Sequence, residues 1–316
     1  MKVAIMESLG IAKERLDQLK KPFEKYGVKF YEYERTSDVH VLIEQAKDKD
    51  VMIVADMPIR AEVIRACDKL RFINIAFTGF NHVDIDAAFD KKVAVSNASG
   101  YSTEAVSELV IGMAISKMRN MVQVEQRLRA SQTKEGLIGH EIKGKTIGIV
   151  GLGKIGTRTA ELFHAFGAKI LASSRTVHAD APSYVSQVAL NELLKESDIV
   201  ILHCPLTEET RHLINREKLK MMKNTAILIN VARGDVVKEE DLCFALRNHH
   251  IAGACIDVFS IEPPLEGDEE ILSAPNTLLT PHIAFASAES MELRAEIVFE
   301  NLRAWMEGKQ QNVVLK

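Results

Sequence analysis

Residues 146–156, "TIGIVGLGKIG", run from an apolar, strand-like segment into Gly151-x-Gly153-x-x-Gly156, and the helix-like "TRTAELFHAFG" follows. In that order Gly151 permits a tight turn, Gly153 lets backbone approach a pyrophosphate, and Gly156 lets the helix pack closely on the strand. The turn N–H groups of Lys154 and Ile155, with the partial positive charge of the helix start, then face the phosphates. A glycine turn also occurs as a plain bend, but the strand before and the helix after supply the context that dinucleotide binding requires. No Gly-Lys-Ser/Thr follows, which excludes a Walker loop. The next strand-like run, within "KILASSRT" (169–176), ends about 20 residues further on, where an acid commonly accepts hydrogen bonds from the adenosine ribose. Ser174 stands there with Arg175 beside it. Without an acid nothing repels a 2'-phosphate, and the guanidinium offers it a charge-assisted fork. NADP(H) is therefore expected ahead of NAD(H); the alternative is a solvated Arg175 and a loosely held NAD(H).

Three later segments, "INVARGDVV", "DVFSIEPP" and "LLTPHIAFAS", carry Arg233, Glu262 and His282. Each follows a run that reads as a buried strand, and open α/β sheets bind ligands just beyond the carboxyl ends of their strands. The three side chains are therefore candidates to converge on one cleft. Singly, Arg233 also reads as a surface turn, Glu262 as a solvated loop residue and His282 as a packed loop histidine. The pair His249 and His250 has no ligand spacing around it, and most of the ten histidines are expected to be structural or exposed.

The elements that must position these residues read as α/β throughout. At 316 residues the chain suits two domains, at a prior of ~150 residues each. The first hundred residues alternate β-rich runs ("KVAIM", "VKFYEY", "VMIVA", "RFINIAF", "VAVSN") with amphipathic segments at 11–26, 38–47, 60–66 and 84–89. Such alternation argues for a parallel sheet. A long helical pattern from about Ser102 past Met118 puts Val106, Leu109, Val110, Met113 and Ile115 on a broad apolar face and reads as a connector. Beyond it "TIGIV", "AKILASS", "DIVILHCP", "AILINVA", "IAGACIDVF" and "NTLLTPH" are apolar on both parities, as strands covered on both faces should be. One more helical pattern, 288–306, ends the series.

Composition narrows the function classes. A net charge of −4 leaves no basic footprint for nucleic acid. The four cysteines have no Cys-x-x-Cys pair, so neither a disulfide framework nor a metal site is expected. Apolar runs such as "LVIGMAI" fall far short of the ~20 residues that span a bilayer. Glu7 interrupts any signal-peptide core. The expectation is a cytoplasmic protein with neither nucleic-acid nor membrane partners.

Taken together, "GLGKIG", "HCPLTEETRHLIN", "TGFNHVDIDAA" and the Arg, Glu and His loops resemble the D-isomer-specific 2-hydroxyacid dehydrogenase family, in the family's order and over essentially the whole chain. The resemblance implies a Rossmann-type, doubly wound parallel-sheet cofactor domain inserted into a smaller flavodoxin-like α/β substrate domain. On this sequence that gives an NAD(P)-binding domain at 101–281 and a substrate domain from 1–100 and 282–316. It implies catalytic roles for Arg233, Glu262 and His282. A hydride can reach C2 of an oxo acid only if charge developing on the carbonyl oxygen is met by a proton or a positive group. His282 would supply that proton, Glu262 would favour the protonated imidazole, and Arg233 would grip the substrate carboxylate with its planar fork.

The resemblance also implies further assignments. Phe77, Thr78 and Gly79 would meet the same carboxylate, with Phe285 lining the substrate pocket. Cofactor contacts would come from Thr103, Ser174, Arg175, Thr176, Cys204, Pro205, Thr210, Val231 and Ala232, with Asp257 at the nicotinamide carboxamide. Ser102 and Thr103 read equally well as a helix cap. A homodimer is expected through the connector and the arm "MRNMVQVEQRLRASQTKEGLIGHEIKG", whose apolar positions suit a two-fold interface.

"NASGYSTEAVSE" and "PHIAFASAE" are most similar to the hydroxypyruvate and glyoxylate reductase (glycerate dehydrogenase) branch, although Phe285 stands where a Trp is common. A phosphoglycerate dehydrogenase usually has a base where this chain has Ala55 and Asp56, and is the alternative within the family. The alternative from another class is a dinucleotide-sensing, corepressor-like binding protein. Turnover of 2-oxo acids separates the two classes.

Overall fold

The computed structural model describes residues 1–262, 265–267 and 269–315. The chain divides into two compact units, one formed by Met1–Ser102 with Ala286–Lys316 and the other by Thr103–Phe285.

In the first unit, β1 (Lys2–Ile5), β2 (Lys29–Glu32), β3 (Val51–Val54), β4 (Phe72–Ile75) and β5 (Ala94–Asn97) form a wholly parallel sheet in the order β2-β1-β3-β4-β5. This is the flavodoxin-like order, whose switch point lies between β1 and β3. α1 (Lys13–Lys20), α2 (Val39–Ala46), α3 (Ala61–Ala66) and α4 (Ile85–Asp90) are the crossovers. Asp38 and Asp84 start α2 and α4 by accepting hydrogen bonds from His40 and Val41, and from Ala87. The helical reading of 11–26 is divided: α1 stops at Lys20, and a tighter 3-10 turn with Pro22 near its start continues to Tyr26.

In the second unit, α5 (Thr103–Met118) and α6 (Met121–Arg129) are separated by Asn120, whose φ of 52° ends the longer helix. There follow β6 (Thr146–Val150), α7 (Lys154–Ala165), β7 (Lys169–Ser173), β8 (Val185–Gln187), α8 (Leu190–Glu196), β9 (Ile199–Leu202), α9 (Arg216–Met221), β10 (Ile227–Asn230), α10 (Glu239–Arg247), β11 (Gly253–Ile256) and β12 (Thr277–Leu279). The order β12-β11-β10-β9-β6-β7-β8, parallel throughout, is the doubly wound arrangement. Two apolar layers enclose the sheet. Val110, Met113, Phe163 and Ile149 belong to one, and Leu194, Leu219, Leu242 and Leu228 to the other. Central strands such as β9 and β10 are buried at every position. β8 was not among the expected strands: it is a three-residue edge strand, half-buried and exposed in alternation, so it lacks the apolar run that marks a central strand.

The last helix, α11 (Ala288–Met306), lies back in the first unit. Ser287 and Ser290 close a reciprocal capping box at its start. Phe299 sits among Phe23 and Phe30, while Trp305 stacks on Phe72 at 4.9 Å. Among the described residues no helix is long and apolar enough to cross a membrane.

Candidate active site

The glycine turn after β6 is built by close approach. Gly151 has a φ of +102°, and a Cβ there would lie 2.7 Å from the backbone of His203 and Cys204. At Gly156 a Cβ would meet the Gly151 carbonyl oxygen at 2.1 Å, so α7 can start this near the strand only without a side chain. Gly153, the N-cap of α7, has open space around the same position. The turn forms one wall of a cavity of about 520 Å³. Ser174, Arg175 and Thr176 at the end of β7 form a second side, and Cys204, Pro205 and Thr210 after β9 a third. Lys154 and Ile155 open α7 beside it. A cradle of exposed turn backbone at a helix start fits a dinucleotide pyrophosphate. The Ser174 hydroxyl donates to the Thr176 carbonyl at 2.8 Å. Arg175, largely in solvent, faces Glu209 across the cavity at 3.5 Å.

His203 lies in the same wall, and its protonation state follows from its partners. Nε2 is 3.0 Å from Thr159 Oγ1, Thr159 Oγ1 is 3.2 Å from Ser107 Oγ, and Ser107 donates to the Thr103 carbonyl at 2.7 Å. Each hydroxyl has one proton to give. Ser107 spends its proton on Thr103 and Thr159 its own on Ser107, so Nε2 of His203 is the donor in this chain. Burial pushes the imidazole down to about 3, which keeps it neutral at ordinary pH. Thr103 is therefore tied into the wall through its carbonyl.

At the far half of the sheet, β10, β11 and β12 end in three turns that are bound to one another. Asn230, 1% exposed, closes the first: its side chain donates to the Arg233 carbonyl at 3.0 Å and accepts from Ala232 N–H at 3.1 Å. Val231 and Ala232 are buried in that turn, and Arg233 Nη1 donates to the Ala232 carbonyl at 2.6 Å. A Cβ on Gly234 would lie 2.0 Å from the Phe259 carbonyl carbon, so this glycine lets the Arg233 turn pack on the backbone leading to Glu262. Asp235 strengthens the junction. A hydrogen bond from Ser260, joined by Arg211, holds its carboxyl below its ordinary value.

On the third turn His282 takes a φ of +55°. Its N–H donates to the Asp257 carbonyl at 2.8 Å, and its Nδ1 lies 3.0 Å from Glu262 Oε2. Phe285 stands edge-on to the imidazole, with centroids 5.4 Å apart. The fold thus brings Glu262 and His282 into direct contact and sets Arg233 on the adjoining turn. An imidazole held against a carboxylate is the pairing that general acid–base chemistry uses, and a guanidinium on the adjoining turn can hold a carboxylate.

Phe77, Thr78 and Gly79 follow β4 in the other unit. Asn97 donates to the Thr78 carbonyl at 2.7 Å, and Ala98 N–H donates to the Phe77 carbonyl at 3.0 Å. Phe77 packs against Tyr101 with centroids 6.0 Å apart. Asn230, Gly234, Glu209 and His203 are the residues that sequence reasoning passed over. The sequence carried a signal for each, since His203 and Glu209 lie within "HCPLTEETRHLIN" and Asn230 and Gly234 within "INVARGDVV", but none showed which partner the residue meets.

Residues 111–284 match the model of the D-isomer specific 2-hydroxyacid dehydrogenase family, NAD binding domain. The glyoxylate reductase of Korarchaeum cryptofilum is 36% identical, over 98% of this chain and 94% of its own length. The hydroxypyruvate reductase of Blautia hydrogenotrophica is 34% identical, over 90% of this chain and 91% of its own. Among solved structures, an acyclic imino acid reductase in complex with NADPH and D-Arg superposes with a TM-score of 0.91 at 28% identity, each chain covered completely.

Proposed function

The chain belongs to the D-isomer-specific 2-hydroxyacid dehydrogenase family, and from that premise we propose that it reduces glyoxylate and hydroxypyruvate to the corresponding 2-hydroxy acids, with NADPH preferred over NADH. Membership makes it an oxidoreductase that acts on CH–OH donors with a nicotinamide cofactor. The observation that carries the catalytic reading is the 3.0 Å contact between His282 Nδ1 and Glu262 Oε2.

Bound nicotinamide supplies the hydride for C2 of the oxo acid. His282 delivers a proton from Nε2 to the carbonyl oxygen, which stays on C2 as the hydroxyl of the product, and takes it back in the reverse direction. Glu262 holds the ring through Nδ1 and balances the imidazolium charge. Arg233 grips the substrate carboxylate through its fork. Residues 77–79 are assigned to carboxylate recognition, and Phe285 to the apolar edge of the pocket. Gly151, Gly153, Lys154, Ile155 and Gly156 would hold the pyrophosphate, Cys204, Pro205 and Thr210 the adenosine side, and Val231 and Ala232 the nicotinamide ribose.

The preference for NADPH rests on the cavity wall at Ser174, Arg175 and Thr176, where no acid ends β7 and the Arg175 fork stands in solvent. Against a phosphorylated substrate stand Ala55 and Asp56 after β3, where a base is absent, and Arg35, which pairs with both Glu7 and Asp56; Arg60, at the start of α3, is the other base nearby in the chain. A homodimer is supported by the exposed Met121, Val122, Leu128 and Ile138 of the arm. Light scattering should report twice the chain mass, and a single-chain mass would refute that part.

The test of the activity is the fall in reduced-nicotinamide absorbance with a panel of 2-oxo acids, each run with NADH and NADPH. Turnover of glyoxylate or hydroxypyruvate, faster per unit concentration with NADPH, is expected. Absence of turnover with every oxo acid would refute the reading.

A further inference from the structure

We propose that Asp257 is the residue that positions His282, and that its carboxylate is committed to the turn carrying the histidine. Asp257 follows β11 and is completely buried. Its Oδ1 accepts from Thr280 Oγ1 at 2.5 Å and from Ile283 N–H at 2.9 Å, and its Oδ2 accepts from Ala284 N–H at 2.9 Å. Its backbone carbonyl takes the His282 N–H at 2.8 Å. Four donors from residues 280–284 thus converge on one residue.

The need for such a clamp comes from the backbone. His282 sits at a φ of +55°, a left-handed conformation that few residues with a Cβ adopt, histidine more often than most. A carboxylate has about four lone-pair sites. Three are taken by the turn, two of them by main-chain N–H groups that no change of side-chain rotamer can withdraw. Burial raises the Asp257 carboxyl above its ordinary value, against the pull of the Thr280, Ala284 and Ile283 hydrogen bonds. Asp257 is itself anchored, because its N–H donates to the Asn230 carbonyl at the end of β10. The chain of support runs from the sheet to Asp257, from Asp257 to the 280–284 turn, and from that turn to the contact between His282 and Glu262. A role confined to the nicotinamide carboxamide would leave these four hydrogen bonds without a purpose.

The inference rests on His282 being the proton donor, so the experiment includes His282→Ala. The variants are Asp257→Asn, which turns an acceptor into a donor facing at least one of the three donors, and Thr280→Val, which keeps the carboxylate and removes one of them. The readouts are kcat, the NADPH Kd from nicotinamide fluorescence, and the pH profile of kcat/KM. Asp257→Asn should lower kcat by about 30-fold or more, well beyond its loss in NADPH affinity, and Thr280→Val should lower kcat by about three- to tenfold with NADPH Kd within about threefold. Both should move the histidine-dependent limb of the pH profile by about half a unit or more, which a merely structural role would not do. If Asp257→Asn fails to fold, Thr280→Val carries the test. Equal losses in kcat and Kd, or an unmoved pH profile, would overturn the inference while leaving His282 in place. Retained turnover in His282→Ala would overturn both together.

Discussion

The two halves of the seven-stranded sheet hold the turns at the carboxyl ends of their strands by different means. At β6, β7 and β9, apart from the corner where Arg175 faces Glu209, the wall is backbone and neutral side chain: three glycines, a helix start, and a histidine that burial pushes down to about 3. At β10, β11 and β12 it is charged side chains on turns locked by Asn230 and Asp257. The difference fits the roles proposed for the two ends. A pyrophosphate carries its own charge and needs only aligned N–H groups, so pH-dependent groups there would be a liability. A proton transfer needs a group that titrates, and that group must be held in place because a small displacement costs rate steeply.

The contrast can be sharpened at the ribose corner, where the first half does carry charge. Ser174→Asp restores an acid at the end of β7 and should move the ratio of kcat/KM for NADPH over NADH toward NADH by about tenfold or more. Arg175→Ala should weaken NADPH alone, by about fivefold. Glu209→Gln should act in the opposite sense and least, about twofold in favour of NADPH, because an exposed pair is worth little. Steady-state kinetics with both cofactors checks all three. An unchanged ratio across the series would reduce Arg175 to a solvated loop residue.

What could be read beforehand separates along the same lines. Alternating apolar runs announce both parallel sheets, and the 288–306 helix matches its pattern because its faces differ. The glycine turn is legible because its spacing is local. Distance in the chain hides the rest. Glu262 and His282 are 20 residues apart, and no spacing rule shows that their side chains meet. Asn230 looks like an ordinary strand-end polar residue until its hold on the Arg233 turn appears, and Asp257, expected at the nicotinamide carboxamide, gives no sign in the sequence of its partners on the 280–284 turn. Gly234 reads as a turn glycine, whereas its requirement is the backbone of Phe259. β8 and the break at Asn120 escape for a different reason, since edge strands and single left-handed residues leave little pattern.

The central claim is that one half of the sheet binds and the other half reacts. It is tested most directly by measuring kcat and NADPH Kd side by side in Gly156→Ala and His282→Ala. In Gly156→Ala the new Cβ meets the Gly151 carbonyl oxygen, so Kd should weaken by about tenfold or more. His282→Ala should lower kcat by about 10²–10⁴ with Kd within about threefold. Parallel losses of binding and turnover in His282→Ala would contradict the account.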